Sequence, residues 1–351
     1  MNKNILISDP DDKTVCLKEC GEKYGVTFIT CPYHFVFFPF YLTFLILSLK
    51  KPDAVILRYM NDNKKFSYSL ILFLSRLLTI LIVRIFRIKL IWFCHNINKE
   101  TNENYPLLTK YIRYFLEKYS YRIYVMDRLL VPYAIKHFPR SEYKIDYINF
   151  GVRNNNFRNI KELDNSKLID KINDLTNKRF KPDLIGFCPT NSGEKYVHIN
   201  YAPKLVEAAK SIGFNLHIVL VGNLKDYLSG KNELRIELDK QENITLIDEF
   251  VDYNASEVSK YIDFYWRGLD DQSVSYSIYE AATNQKPTLA LDFGFIGKAV
   301  KEYALGATVD SNMTNIFESL SSLNDWDKSN AKVFLKEHSW DFSVNKIRSI
   351  L

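Results

Sequence analysis

Short, almost uninterrupted apolar runs recur along this chain, with longer stretches of mixed apolar and polar residues between them. Asn4–Ser8, Ala54–Arg58, Leu90–Cys94, Arg122–Val125 and Lys144–Ile148 form a first series. Leu184–Cys188, His217–Val221, Ile244–Ile247, Phe264–Trp266 and Thr288–Leu291 form a second. Runs this short and this apolar read as strands buried on both faces, and the intervening stretches read as the helices that cover them. Between the two series, after Gly151, comes a polar, Asn-rich stretch from Arg153 to roughly Lys181, read as a linker and the opening helix of a second domain. The pattern predicts two doubly wound α/β domains, 1–155 and 156–335, followed by a C-terminal helical segment, 336–351. In such domains ligands bind outside the carboxyl ends of the strands.

Two segments of the first half are more apolar than ordinary surface helices. Phe35–Leu49 is nearly all apolar and aromatic, broken by Pro39. Phe66–Ile88 is apolar apart from a few polar positions and Arg76, Arg84 and Arg87. On a regular helix those arginines fall within roughly 80° of one another. Neither segment offers about 18 uncharged apolar residues in a row, so a membrane span is not expected. One reading packs these helices on the sheet with the arginines in solvent. The other lays them on an anionic membrane, apolar side chains in the headgroup zone and arginines against lipid phosphates.

Charge supports the second reading. The net charge is +6, but residues 1–152 hold 22 Lys/Arg against 13 Asp/Glu, a balance of +9, which leaves −3 for the rest. A nucleic-acid partner is not expected, because the basic residues lie among long apolar runs rather than in a polar, aromatic-lined groove. The five cysteines are scattered and odd in number, as in a cytosolic protein with free thiols. No apolar leader follows Lys3, so a cleaved signal peptide is not expected.

The richest chemistry lies in residues 263–300. The order there is strand, tight loop, helix, strand, with Ser273, Ser275 and Ser277 at the helix entry and Glu280 just inside it. Unpaired amides at a helix start favour a pyrophosphate, and a nearby carboxylate can accept both hydroxyls of a ribose. Glu280-Ala281-Ala282, the Lys286-Pro287 turn and the following apolar strand to Gly294 resemble the nucleotide-sugar glycosyltransferases of the GT-B fold, family four above all. Tyr147–Val152 is similar to the Gly-Val signature that ends that family's first domain. Leu216–Gly222 is similar to a strand and glycine of its donor domain, and Ser339–Ser343 to the start of the helix that crosses back to the first domain. Gly193-Glu194-Lys195 fits part of its phosphate loop, with Thr190 where the family has Arg. Gln272 stands near the position of the family's first Glu, after Asp270 and Asp271.

The resemblance implies a GT-B fold: two Rossmann-like domains facing a cleft, with the C-terminal helix returning to the first. It implies a transferase that moves a sugar from a nucleotide-sugar, a UDP-sugar by preference, to a glycan or lipid-linked acceptor of bacterial surface polysaccharide or lipopolysaccharide. The donor site it implies comprises Glu280, Gln272, Ser273, Val274, Ser275, Lys195, Gly193, Arg267 and Gly222. Lys195, Arg267 and the amides near Val274–Ser277 would stabilise the leaving diphosphate without a metal. No cofactor is expected. On the acceptor side, His95 follows the strand Leu90–Cys94, and a His so placed contacts the donor sugar in that family. Glu100, Glu103 and Asp9 are carboxylates in strand-end loops that could act as base, although Asp9-Pro10-Asp11-Asp12 also reads as a turn with Asp caps. His34, His137, His198, His217 and His338 are dispersed and read as structural. The family suggests retention of configuration, while these carboxylates keep inversion open. The expected location is the cytoplasmic face of the cell membrane. Two other readings stand beside this one, a sugar-nucleotide epimerase of the same architecture and a non-catalytic GT-B scaffold.

Overall fold

A computed structural model describes residues 2–8, 10–98, 100, 103–152, 166–176, 182–189, 197–222, 224–249, 251, 253–269 and 272–351. The chain divides into two units. One holds Met1–Phe157, Gln272–Val274 and Glu337–Leu351; the other holds Arg158–Asp271 and Ser275–Lys336.

The first unit contains strands β1 (Lys3–Ile7), β2 (Val26–Thr30), β3 (Ala54–Arg58), β4 (Lys89–Cys94), β5 (Arg122–Val125) and β6 (Ile145–Tyr147). They form one sheet in the order β2-β1-β3-β4-β5-β6, every pair parallel. All five residues of β3 are buried, as its unbroken Ala-Val-Ile-Leu run requires of a strand covered on both faces. The strand order reverses between β1 and β3. The helix after β1 carries the chain outward to β2, and the sheet then grows from β3 in the opposite direction.

The second unit contains β7 (Leu184–Pro189), β8 (Leu216–Val221), β9 (Ile244–Ile247), β10 (Phe264–Arg267), β11 (Thr288–Leu291) and β12 (Gly306–Val309). Their order is β12-β11-β10-β7-β8-β9, again all parallel. The two-residue period of the strands splits the core. Leu184, Cys188, Leu216, Ile218, Leu220, Phe264 and Trp266 pack on one side, and Ile185, Phe187, Val219, Val221 and Tyr265 on the other. Here the order reverses between β7 and β10. β2 and β12, at sheet edges, are the two strands that the apolar pattern does not predict.

The segment Phe35–Leu49 divides into a 3-10 turn, Phe35–Phe37, and a helix, Phe38–Leu47. Pro39 does not interrupt that helix. It lies in the first turn, where its missing N–H has no helical partner to lose. Phe66–Ile85 is a single helix, and among the described residues it alone has the length and apolarity to cross a membrane. One side of it is packed: Leu72, Ser75, Thr79, Ile80 and Val83 are buried. Arg76 is buried too, which corrects the expectation that all three arginines point to solvent or lipid. Its guanidinium donates to the carbonyls of Tyr59 (3.1 Å), Met60 (3.3 Å) and Asn61 (2.8 Å), satisfying backbone acceptors beyond β3 that no strand pairs. Arg84 and Arg87 are exposed.

The last helix, Trp340–Ser349, is part of the first unit, as the fold expectation required. Ser339 caps it, accepting from the Phe342 amide at 3.2 Å. Asn149 donates its backbone N–H to Ser343 Oγ (3.0 Å) and its side-chain amide to the Glu337 carbonyl (3.0 Å). His338 Nε2 meets Asp127 Oδ2 at 3.1 Å, both buried. Gly151 is required beside this helix, because a Cβ there would run into the Trp340 indole.

Candidate functional site

In the first unit, chemistry gathers where β1, β3 and β4 end, at the reversal of strand order. Arg58, the last residue of β3, is 1% exposed and organises the group. It pairs with Asp11 through two parallel bonds, Nη1 to Oδ1 at 3.0 Å and Nη2 to Oδ2 at 2.7 Å. It also donates to Thr14 Oγ1 (2.8 Å), to Tyr59 OH (2.8 Å) and, through Nε, to His95 Nε2 (3.3 Å). The register explains the last contact: Arg58 lies opposite Phe93, two residues before His95 on the adjacent strand. The His95 ring stacks on Tyr59, centroids 4.3 Å apart and planes 11° apart, and more loosely on Phe150 at 5.5 Å. Lys13 donates to Tyr59 OH at 2.9 Å and lies 4.4 Å from the Phe150 ring centre.

Asp11 is both helix cap and counter-ion. It accepts from the Thr14 amide at 2.9 Å, at the start of helix Asp12–Lys23. Burial alone would raise its carboxyl, but the charge and hydrogen bonds of Arg58, with the Thr14 amide and Lys13, outweigh burial and hold it below the usual range. The Tyr59 phenol is pushed up to about 12 by burial, with the Asp11 charge adding to the effect.

Of the proposed acceptor-side carboxylates, Glu100 does not join this group. Glu100 is 4% exposed, and its Oε1 accepts from Arg113 Nη1 at 2.7 Å. Arg113 also holds the carbonyls of Asn96 (3.0 Å) and Ile97, so the pair braces the loop that follows His95. Glu103 is half-buried. Asp9 lies outside the described residues, as do Gly193, Lys195, Asp270 and Asp271.

In the second unit the counterpart is the reversal between β7 and β10. Arg267 ends β10 and donates through Nη1 to the carbonyl of Pro189, the last residue of β7. Its Nη2 donates to Ser275 Oγ at 3.1 Å, and Ser275 Oγ is 2.9 Å from Ser277 Oγ. The buried Nε of Arg267 has no hydrogen-bond partner among the described residues. Glu280 lies in the first turn of helix Ser277–Thr283 and is half-buried, and Tyr253 OH donates to its Oε1 at 2.7 Å. Burial, reinforced by the Glu280 charge, raises the phenols of Tyr253 and Tyr265 far above their ordinary value. Both therefore stay protonated, Tyr253 as the donor to the carboxylate. Gly222, just after β8, has φ of +152°, a backbone region that side chains rarely enter, and donates its amide to Ile247 at 3.1 Å. Gln272, Ser273 and Val274 group with the first unit, not with Arg267 and Glu280.

His198 is fully buried, its Nδ1 3.2 Å from the Gly268 carbonyl, and burial followed by the Arg267 charge keeps it neutral. His217 bonds Thr245 Oγ1 at 2.8 Å and His34 bonds Tyr68 OH at 2.7 Å, structural contacts of the kind expected of these scattered histidines. Sequence reasoning missed Arg58, Tyr59 and the ion pair of Asp11, which it read only as a turn cap, and also Arg113 and Tyr253. Only strand order brings the first three together with His95, and strand order cannot be read from a local motif.

A second surface of the first unit stands apart from these groups. Phe40, Phe44 and Leu47 lie along one helical stripe and Leu74, Leu78, Leu81 and Ile85 along another, all substantially exposed. Lys50, Lys51, Arg84 and Arg87 are exposed at the ends of these helices.

No protein-family model matches this chain. No curated protein matches it either. Solved structures do match over its length. A glycosyltransferase from Rickettsia africae ESF-5 aligns with 99% of this chain and 97% of its own, at 14% identity and a TM-score of 0.64. Anabaena Alr3699/HepE, crystallised with UDP-glucose, aligns with 100% of both chains at 13% identity and 0.63. The UDP-GlcNAc 2-epimerase of Methanocaldococcus jannaschii covers 100% of this chain and 99% of its own at 14% identity and 0.56. With its two six-stranded parallel sheets and its C-terminal helix built into the first unit, this chain has the two-domain GT-B fold.

Proposed function

We propose that this chain is a glycosyltransferase that takes a sugar from a nucleotide-sugar donor, a UDP-sugar by preference, and delivers it to a glycan or lipid-linked acceptor in bacterial surface polysaccharide or lipopolysaccharide synthesis. The observation that carries the reading is the placement of Arg267, at the end of β10, and Glu280, in the first turn of helix Ser277–Thr283, beside the reversal of strand order in the second unit. Glu280 Oε1 is held by Tyr253, and a carboxylate fixed in this way can accept ribose hydroxyls with little loss of side-chain freedom. Arg267 brings a positive charge to the strand end where a diphosphate would lie, and such a charge gains most as the leaving group departs. Metal-independent transfer with retention, in which the leaving phosphate takes the acceptor proton, accords with Glu100 being engaged by Arg113 rather than turned to a substrate.

The exposed apolar stripes of the first unit, with cations at the helix ends, suit an anionic membrane surface and a lipid-linked acceptor. The enzyme would then work as a peripheral protein at the cytoplasmic face. An epimerase is the second reading, because the archaeal UDP-GlcNAc 2-epimerase shares the fold over the full length. Thermal-shift measurements with UDP, GDP and CMP on wild type and Glu280→Ala test the donor site. Stabilisation by UDP that is lost in Glu280→Ala is expected. No shift with any nucleotide would overturn the reading. Conversion of UDP-GlcNAc to its 2-epimer without an acceptor would move the assignment to the epimerase.

A further inference from the structure

We infer that Arg58 is a positioning residue that fixes His95 as the neutral imidazole with its proton on Nδ1, so that His95 cannot serve as a base. A guanidinium has donors and no acceptor. The bond from Arg58 Nε to His95 Nε2, 3.3 Å, therefore requires a lone pair on Nε2. Protonating that nitrogen would break the bond and set two cations against each other in a buried place. Arg58 cannot turn away, because Asp11 grips it with two parallel bonds and Thr14 Oγ1 and Tyr59 OH occupy its remaining donors. The ring cannot easily flip either, since its faces stack on Tyr59 and Phe150.

Among the described residues that make these contacts, the ionisable groups near His95 act in this direction or are spent elsewhere. Arg58, from β3, opposes a positive ring. Lys13, from the helix after β1, adds to that opposition. Asp11 is neutralised by Arg58, and Tyr59, beside Arg58, stays protonated. The loop after β6 contributes Phe150, which is apolar. An imidazole in free solution favours the other tautomer and titrates at about 6.5. In this setting, any proton His95 shares with a ligand is one it donates from Nδ1. The tautomer stands on geometry alone; its bearing on catalysis rests on the transferase reading.

The test is a long-range proton–nitrogen NMR spectrum of histidine-labelled full-length protein, with the His95 signals assigned by their loss in His95→Gln. A protonated Nδ1 and an unprotonated Nε2 are expected from about pH 6 to about pH 8. A proton on Nε2, or on both nitrogens near neutrality, would overturn the inference. In Arg58→Met the ring should revert to the Nε2-protonated tautomer and titrate near its ordinary value. Unchanged signals there would show that Arg58 does not set the tautomer. Should Arg58→Met not fold, the wild-type spectrum alone decides. With UDP-glucose as the probe donor, wild-type turnover should lack an acid limb from His95 and Arg58→Met should gain one. An inactive protein with the expected spectrum would leave the inference standing and count against the transferase.

Discussion

Substitution of Glu100 separates a strut from a base. The Glu100–Arg113 pair is 2.7 Å apart, with side chains 4% and 9% exposed. Removing one partner of a buried pair costs about 3–5 kcal/mol, chiefly because the other charge is left uncompensated. In Glu100→Ala the stranded Arg113 keeps the carbonyls of Asn96 and Ile97 and still lies 5.4 Å from the Trp92 ring centre. We therefore expect the low end, about 3 kcal/mol, which for a unit of this size is a fall of about 6–12 °C in Tm. Glu100→Gln keeps the shape and one acceptor oxygen but loses the negative charge, so about 1 kcal/mol is expected. Arg113→Met should strand the carboxylate instead, and the double variant Glu100→Gln/Arg113→Met should cost less than the sum of the two single changes. Thermal unfolding followed by tryptophan fluorescence measures the stability side, since Trp92 lies beside the pair. Turnover of a UDP-sugar measures the other side. If both Glu100 variants melt with the wild type while turnover collapses, the strut argument is wrong and Glu100 is the base.

Further outcomes follow from the same geometry. Asp11 has a depressed carboxyl in the folded protein, so the stability it supplies is complete above its unfolded value near 4 and is lost as pH falls through the lower folded value. Asp11→Asn should flatten that part of the stability–pH curve measured by urea unfolding, and an unchanged curve would count against the Arg58 pair. Tyr253→Phe should weaken UDP binding about tenfold in calorimetry by freeing Glu280 to turn, the scale of one hydrogen bond to a charged group. Equal affinity would mean that Glu280 needs no such support. Phe44→Asp with Leu78→Asp should move the protein from anionic vesicles to the supernatant at low salt, each exposed side chain being worth up to about 1.5–3 kcal/mol when fully buried. Recovery of the wild type wholly in the supernatant would remove the membrane from the proposal. EDTA should leave transfer intact, and activity restored only by a divalent ion would contradict the proposed leaving-group chemistry.

The strands with long branched or aromatic runs, such as Ala54–Arg58 and Leu216–Val221, were legible because burial on both faces leaves little room for polar residues. β2 and β12 were not. Val-Thr-Phe-Ile-Thr and Gly-Ala-Thr-Val lie at sheet edges, where a strand needs less apolar surface. Glu280 stood out because its neighbours form a local motif. Arg58 and Arg113 carried no such signal, since their partners lie 47 and 13 residues away in sequence and meet them only once the sheet is assembled. Arg76 misled for a related reason. Helical periodicity places it with Arg84 and Arg87, but the carbonyls beyond β3 that draw it inward are invisible to periodicity.

The first unit is written in two long instalments and one of three residues, with all of the second unit between the outer two. A ribosome makes 337 of the 351 residues before Asp127 can find His338, and more before Trp340 can pack beside Gly151 or Asn149 can find Ser343. The first domain to be translated is therefore the last to be completed. Until its closing helix arrives, that domain leaves Tyr147 and Phe150, on which the helix rests its Phe342 and Trp340, open to solvent, along with the exposed stripes on Phe38–Leu47 and Phe66–Ile85. During synthesis the half made first is thus the half whose apolar surface stays exposed longest.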